Sequence, residues 1–277
     1  MVGRPASFAG LALDRPRLMG VVNVTPDSFH DGGRHFDPER AIAHGRALAR
    51  AGADLLDIGG ESTRPGAQPV SAEDERARVL PIIRALKPLG VPLSIDSRRP
   101  LVMEAALAAG AMLVNDVTAL ADPLARRLVA ESGAFAILMH MQGEPATMQA
   151  KPTYGDVVAE VRDFLAARLA QCAADGIARE RLAIDPGIGF GKTLDHNLAL
   201  IAHLDRLADL GVPVVLGVSR KSFIAHLMGG DPPTAARLPG SLAAALAGLE
   251  RGASILRVHD VAETAQAVAM WRAIGRA

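Results

Sequence analysis

Short apolar runs alternate with longer segments of helical periodicity along most of the chain. Each apolar run is nearly continuous, as expected of strands that are buried on both faces of a parallel sheet. Eight runs are therefore predicted to be strands: residues 18–24, 55–59, 92–96, 113–117, 135–140, 182–185, 214–218 and 255–258.

The segments between these runs carry the start and stop signals of helices. Asp37 and Asp122 each precede a proline, which is the order of an N-cap followed by Pro in the first helical turn. Residues 71–74 resemble a capping box. Four glycines end helical runs, and each is followed by Ala and then by a strand: Gly52, Gly110, Gly133 and Gly252. This repeat is typical of consecutive βα units.

About eight βα units in 277 residues predict an α/β protein with a single (β/α)8 TIM barrel. The alternative, an open doubly wound sheet, is less favoured because no G-x-G-x-x-G fingerprint follows the first strand. No Ser- or Pro-rich linker divides the chain, so we expect one domain over residues 1–277. Residues 1–17 are a short N-terminal extension to which the sequence assigns no function.

Composition and charge narrow the classes of partner. About half of the residues are apolar, and 30 basic residues balance 30 acidic ones, so nothing in the net charge favours nucleic acid or an anionic membrane. The N-terminus resembles no signal peptide, and no apolar run is long enough to span a bilayer. The single Cys172 excludes an intramolecular disulfide. We expect a soluble cytoplasmic protein that binds neither nucleic acid nor membranes.

Polar residues stand at nearly every predicted strand end. In a barrel the carboxyl ends of the strands build the active site. Contact with solvent explains one or two polar ends but poorly explains eight: Asn23, residues 60–66, Asp96, Asn115, His140, Asp185, residues 219–221 and residues 257–259. The sequence therefore predicts an active site at this end of the barrel.

The stretch LAIDPGIGFGK at 182–192 delivers Asp185 from a strand into a loop of alternating glycines. Taken alone, Asp185 could simply cap a turn. A phosphate-binding P-loop is excluded, because Gly187 and Gly191 are one residue too close for that motif.

The strand-end side chains suit two kinds of ligand. Asp96, Asn115 and Asp185 can pair with a planar edge that carries N–H donors and a carbonyl, such as a pterin or a purine. Asn23, Arg257 and His259 suit an anion, while Thr63, Arg64, Ser219 and Ser222 could serve either group. Charge-assisted hydrogen bonds contribute roughly 1.5–3 kcal/mol each, so Asp185 is the expected anchor. The sequence has no H-E-x-x-H and no Cys-rich cluster, so zinc is not expected, and residues 139–141 are interpreted as wall packing.

Five motifs in order resemble those of the dihydropteroate synthase family. They are NVTPDSF at 23–29 with DGG at 31–33, GGESTRPG at 59–66, DPGIGFGK at 185–192, SRKSF at 219–223 and RVHD at 257–260. The resemblance implies that 6-hydroxymethyl-7,8-dihydropterin diphosphate condenses with 4-aminobenzoate, with Mg²⁺, to give 7,8-dihydropteroate and pyrophosphate in folate biosynthesis. It also implies a sulfonamide target and a homodimer.

The resemblance further implies a role for each matching residue. Asp96, Asn115, Asp185 and Lys221 would hold the pterin. Asn23, Thr63, Arg257 and His259 would bind the diphosphate, with Asn23 also binding Mg²⁺. Asp96, Lys221, Arg257 and His259 would be catalytic. Phe29, Thr63, Arg64, Pro65, Phe190 and Ser222 would form the aminobenzoate pocket, and the loops at 25–36 and 63–70 would be lids.

Two alternatives and two departures qualify this interpretation. A pterin-dependent methyltransferase would need no diphosphate site, and a non-catalytic paralogue would be expected to lose loop or anion residues. His30 and Glu144 depart from the family pattern, but neither replaces an expected ligand. Lys221 could also be a surface cation at a helix start.

Overall fold

The computed structural model describes residues 5–24, 37–62, 70–145, 147–230 and 233–276. Its strands in chain order are β1 (Ser7–Phe8), β2 (Leu11–Ala12), β3 (Arg17–Asn23), β4 (Leu55–Gly59), β5 (Leu93–Asp96), β6 (Leu113–Asp116), β7 (Phe135–Met139), β8 (Leu182–Asp185), β9 (Val215–Leu216) and β10 (Ile255–Val258). The helices are α1 (Pro38–Arg50), α2 (Ala72–Leu86), α3 (Pro100–Ala109), α4 (Pro123–Ser132), α5 (Val157–Ala174), α6 (Leu194–Ala202), α7 (Asp205–Ala208), α8 (Ser222–Leu227), α9 (Leu238–Glu250) and α10 (Val261–Ile274).

Strands β3 to β10 form one eight-stranded sheet in the order β8-β7-β6-β5-β4-β3-β10-β9. Every neighbouring pair in it is parallel. The two edges also meet, because Ile184 bridges to Val214 and its N–H donates to the carbonyl of Pro213 at 2.9 Å. The predicted (β/α)8 barrel is confirmed.

The predicted run at 214–218 contributes only two residues of regular strand, Val215 and Leu216. Val214 makes the isolated bridge that closes the barrel. Beyond Leu216 the backbone leaves the ladder, and the Ser219 hydroxyl instead accepts the backbone N–H of His259 at 3.2 Å. The predicted strand was too long because an apolar run in the sequence does not show where the backbone leaves the sheet.

The predicted helix ends are present. The side chains of Asp37, Ser71 and Asp122 accept backbone N–H groups in the first turns of α1, α2 and α4. The four predicted terminal glycines all have positive φ, a conformation that side chains with a Cβ rarely adopt: Gly52, Gly110, Gly133 and Gly252. These glycines allow the backbone to turn sharply from the end of each helix towards the next strand.

The β1–β2 hairpin, which lies in the N-terminal extension, closes one end of the barrel. Phe8, in the β1–β2 hairpin, is 1% exposed and packs edge-on against Phe135 with ring centroids 5.3 Å apart. It joins the inward-facing apolar side chains of the strands, among them Met19, Leu113 and Ile255. A larger apolar layer lies between the strands and the surrounding helices. The hairpin therefore seals the end of the barrel opposite the predicted site.

No helix in the described ranges has both the length and the apolar composition needed to cross a bilayer.

Candidate active site

The structure places most of the predicted site residues at the carboxyl ends of the barrel strands. Asn23, Asp96 and Asp185 are the last residues of β3, β5 and β8, and Asn115 is the penultimate residue of β6. Arg257 lies within β10, while four other predicted residues follow strands or begin a helix: Phe190, Lys221, Ser222 and His259. Phe29, Thr63, Arg64 and Pro65 lie outside the described residues, as do His30 and nearly all of the two predicted lids.

Arg257 connects two carboxylates on neighbouring strands. Its Nε donates to Oδ2 of Asp57 and its Nη2 donates to Oδ2 of Asp96, both at 2.6 Å. The same Asp57 oxygen accepts Nδ2 of Asn115 at 3.0 Å. The guanidinium thereby joins β10 to β4 and β5, Asp57 joins β4 to β6, and Asp96 and Asn115 lie side by side.

Asp57 was missed in the sequence. Its side chain is 0% exposed, and it lies in the middle of β4. Aspartate is almost never fully buried unless it is paired, so a carboxylate inside the apolar run LLDIG was a signal for a partner. The sequence did not show which partner, because Arg257 is 200 residues away.

Asp57 and Asp96 share one positive charge in this cluster, and this affects the titration of Asp96. Burial raises the pKa of Asp96 to about 7, and neighbouring Asp57 adds to the rise although Arg257 opposes it. Burial alone would lower the pKa of Arg257, but Asp57 and Asp96 outweigh that effect and raise it. Arg257 therefore remains charged, while Asp96 can exchange a proton close to neutral pH.

Asp185 and Lys221 lie close to each other beside Arg257. A Cβ built on Gly217 would lie 3.6 Å from Nζ of Lys221, 3.8 Å from Oδ2 of Asp185 and 3.9 Å from Cβ of Arg257, so these three side chains converge around that glycine. Burial lowers the pKa of Lys221 to about 8 despite the nearby Asp185. Burial also raises the pKa of Asp185, with Lys221 opposing. Lys221 thus lies among the charged side chains at this end of the barrel and is not a freely solvated surface cation.

The glycine-rich loop after β8 is fixed by hydrogen bonds between its backbone and nearby side chains. The N–H of Gly187 donates to Oδ1 of Asp185 and the N–H of Gly189 to Oδ1 of Asn197, both at 2.7 Å. Tyr154 donates its hydroxyl to the carbonyl of Gly191 at 2.9 Å. Because two of the loop N–H groups are already used, the loop cannot cradle a phosphate as a P-loop does. The loop instead presents Asp185 and Phe190 in fixed positions.

Lys221 joins this loop to the helix that follows β9. Its ammonium donates to the carbonyl of Ile188 and lies 4.8 Å from the centroid of the Phe190 ring. This is within the range of a cation–π contact. The face of the Phe190 ring therefore lies next to the Lys221 ammonium, at the same end of the barrel as Asp185.

Ser219, His259 and Asn23 lie at the same end of the barrel. Ser219 Oγ is 3.0 Å from Nδ1 of His259 and accepts its backbone N–H. Ser222 is the first residue of α8 and is exposed. Within the described ranges no three His, Cys, Asp or Glu side chains are grouped so that they could hold a metal ion.

Two motif residues without a predicted role are also engaged. Glu144 accepts Nη1 of Arg98 at 3.1 Å in an exposed ion pair that touches none of the charged site residues. Lys192 is 3% exposed, and its Nζ lies 2.9 Å from Nδ1 of His140. The sequence predicted that His140 packs in the wall of the barrel. The structure adds its polar contact with Lys192, which joins the end of β7 to the glycine-rich loop after β8.

Comparison with known proteins assigns the chain to a family. The model of the pterin binding enzyme family matches residues 19–259. The dihydropteroate synthase of Neisseria meningitidis serogroup C is 52% identical over 269 residues, which is 96% of this chain and 95% of that protein. The chain belongs to the dihydropteroate synthases among the pterin binding enzymes.

Solved structures of dihydropteroate synthases have the same fold. The Xanthomonas albilineans enzyme with 4-aminobenzoic acid has a TM-score of 0.91 and 52% identity, covering 96% of both chains. The Yersinia pestis enzyme in complex with a sulfonamide drug has a TM-score of 0.91 and 44% identity, covering 97% of this chain and 98% of that one. This family assignment does not favour the methyltransferase alternative.

Proposed function

We propose that this chain condenses 6-hydroxymethyl-7,8-dihydropterin diphosphate with 4-aminobenzoate to form 7,8-dihydropteroate and pyrophosphate, a step of folate biosynthesis. The observation that carries the proposal is the convergence of Asp96, Asn115, Asp185, Lys221 and Arg257 at one end of the barrel. The 4-aminobenzoic acid bound by the X. albilineans relative supports the second substrate. The sulfonamide complex of the Y. pestis relative supports inhibition by the same class of drug.

The pterin would be held by its hydrogen-bonding edge. A carboxylate can accept two parallel N–H groups, and Asp185 has one oxygen bound to Gly187 while Oδ2 faces the Gly217 side. Asn115 keeps its amide in place through Asp57, so it is orientated before the ring arrives. Lys221 would donate to a ring acceptor. Preorganised groups of this kind cost little ordering entropy on binding.

The diphosphate would bind on the Asn23, Arg257 and His259 side, together with Thr63. Arg257 uses Nε and Nη2 for carboxylates, and within the described residues its Nη1 makes no hydrogen bond and can reach an anion. Mg²⁺ prefers oxygen ligands and is often held by one or two protein oxygens together with substrate phosphates and water. The amide oxygen of Asn23 fits such a site. When bound, the ion would neutralise charge on the departing diphosphate.

The reaction then needs positioned charge and no protein nucleophile. The methylene carbon–oxygen bond breaks, the diphosphate leaves with the electron pair, and positive charge develops on the pterin methylene. Asp96 would stabilise that cation, while Arg257 and His259 would stabilise the leaving group. The aminobenzoate nitrogen attacks the methylene and loses a proton.

The aminobenzoate pocket would include Phe190 and Ser222 among the described residues. Phe190 is fixed by its loop and lies against Lys221. Phe29, Thr63, Arg64 and Pro65 complete the proposed set from the two motifs near the N-terminus. A planar substrate would be held against the Phe190 ring, where aromatic contact favours it.

We also propose that the enzyme is a cytoplasmic homodimer that acts on small molecules and not on nucleic acid. The family resemblance supports the dimer, and the single buried Cys172 suits a reducing compartment. Light scattering coupled to size exclusion would measure the mass. A monomer at micromolar concentration would contradict the dimer.

The proposed pterin contact can be tested with Asp185→Asn. The amide keeps the shape but can no longer accept two N–H groups, so the dissociation constant of dihydropterin diphosphate should rise by about 10- to 100-fold. The control is Asp163→Asn, which removes an exposed carboxylate from α5. Titration calorimetry on both folded variants measures the effect. Equal affinity in Asp185→Asn and wild type would reject this anchor.

A further inference from the structure

Lys192 is a buried lysine for which the reaction above gives no role. Its side chain is 3% exposed although it follows a loop at the open end of the barrel. A lysine is almost never fully buried unless partners replace its water. Its surroundings therefore show what the side chain is bound to.

Three acceptors surround the Lys192 ammonium. Nζ lies 2.9 Å from Nδ1 of His140, 3.0 Å from the carbonyl of Phe190 and 3.5 Å from the carbonyl of His140. An ammonium has three N–H donors, so this set matches its capacity. Burial lowers the pKa of Lys192 to about 7, and below that pH the charged ammonium requires Nδ1 of His140 to be an acceptor, which places the imidazole proton on Nε2.

His140 is itself held firmly. Its ring packs edge-on against Phe164 with centroids 4.9 Å apart, and its backbone N–H donates to the carbonyl of Asp185 at 3.0 Å. Burial lowers its pKa to about 3, so the ring is neutral at physiological pH. Lys192 thus connects a rigid strand end to the carbonyl of one loop residue, Phe190.

The position of Phe190 matters because its ring lies beside Lys221 in the site. Neighbouring loop residues have their own backbone bonds through Asp185, Asn197 and Tyr154. Among the described residues, Lys192 supplies the hydrogen bond to the carbonyl of Phe190. Removal of the ammonium would therefore free the carbonyl of Phe190, while the N–H of Phe190 would keep its bond to the carbonyl of Gly187 at 3.0 Å.

We propose that Lys192, orientated by His140, is a positioning residue that fixes the main chain at Phe190 and so determines the affinity of the site for 4-aminobenzoate. The inference rests on the proposed function, because Phe190 is assigned there to the aminobenzoate pocket. Lys192 touches no substrate in this account. Its effect should fall on the second substrate more than on the pterin, whose anchor Asp185 has its own bond to Gly187.

The test is Lys192→Met, which keeps an unbranched side chain and removes all three donors. The KM for 4-aminobenzoate should rise about tenfold or more, the effect of losing a hydrogen bond to a charged donor. The directly measured dissociation constant of dihydropterin diphosphate should change by less than about threefold, because the bond between Asp185 and Gly187 does not involve Lys192. Lys151→Met makes the same chemical change at an exposed lysine and should alter neither constant.

The double variant His140→Leu, Lys192→Met separates positioning from stability. It replaces a polar buried pair by an apolar one, so its melting temperature should recover relative to either single variant. Its KM for 4-aminobenzoate should remain raised because the carbonyl of Phe190 still has no donor. Recovery of KM together with stability would overturn the inference, and so would an equal loss of affinity for both substrates.

These outcomes also separate the inference from the proposed function. A folded wild-type chain that forms no dihydropteroate would refute the proposed function itself. An active wild type whose KM for 4-aminobenzoate is unchanged in folded Lys192→Met would refute only the role of Lys192. If Lys192→Met does not fold, the double variant supplies the same comparison of KM with pterin affinity.

Discussion

Asp57→Asn tests whether the shared guanidinium controls the charge of Asp96. The substitution keeps the shape and an acceptor oxygen for Arg257 and Asn115, but it removes one negative charge from the cluster. Among the described residues, Asp96 would then be the one carboxylate hydrogen-bonded to Arg257. Both changes favour the ionised form of Asp96, so its pKa should fall from about 7.

The size of the shift follows from the contacts. Two carboxylates bound to one guanidinium lie about 5 Å apart, and Coulomb's law at an effective dielectric constant of about 20 gives roughly 3 kcal/mol. One pKa unit corresponds to about 1.4 kcal/mol, so the expected shift is roughly two units. If ionised Asp96 stabilises the pterin cation, kcat/KM falls as pH drops through this pKa. The acidic limb should therefore move from near pH 7 towards about pH 5.

The assay is the pH profile of kcat/KM for dihydropterin diphosphate at saturating 4-aminobenzoate. Any ionisation of the substrate affects wild type and variant equally, so it does not contribute to the difference between their pH profiles. Asp54→Asn is the matched control, because Asp54 immediately precedes β4 and pairs with Arg15 and Arg17. It should lower stability and leave the limb in place. An acidic limb that stays fixed in Asp57→Asn, or moves to higher pH, would show that the charge of Asp57 does not control the titration of Asp96.

Lys221→Met should lower kcat/KM and remove the alkaline limb near pH 8, because the lowered pKa of the Lys221 ammonium causes its charge to be lost above that pH; a retained limb in the pH profile would count against Lys221. Gly187→Ala should lower the melting temperature strongly, since φ is +68° and a Cβ would overlap the carbonyl of His140. Gly229→Ala, at φ +74° with nothing within 4 Å, should lose only about 1 kcal/mol, and equal losses would contradict the steric argument. Phe8→Ala should reduce the free energy of unfolding in urea by about 3–5 kcal/mol without changing either KM, and an altered KM would show that the hairpin reaches the site.

Much of the barrel could be predicted because its signals are local. Continuous apolar runs mark strands that are buried on both faces, and Asp37, Ser71 and Asp122 cap the helices as their sequence positions indicate. The β1–β2 hairpin was not predicted, since strands of two residues are too short for any periodicity. Its role became clear only from the packing of Phe8 against Phe135.

The site was predictable as a set of strand ends but not as a network. Position in the chain placed Asp96, Asn115 and Asp185 at one end of the barrel. It could not show that Arg257 bonds to Asp57, because that contact joins residues far apart in the chain. The pairing of Lys192 with His140 was hidden for the same reason, at a separation of 52 residues.

Product formation tests the proposed synthase activity. Purified protein is supplied with 6-hydroxymethyl-7,8-dihydropterin diphosphate and Mg²⁺, with and without 4-aminobenzoate, and both pyrophosphate and the pterin product are measured, the latter by mass spectrometry. We predict 7,8-dihydropteroate and stoichiometric pyrophosphate only when both substrates are present. A folded protein that binds the pterin but forms no dihydropteroate would refute the proposed synthase activity.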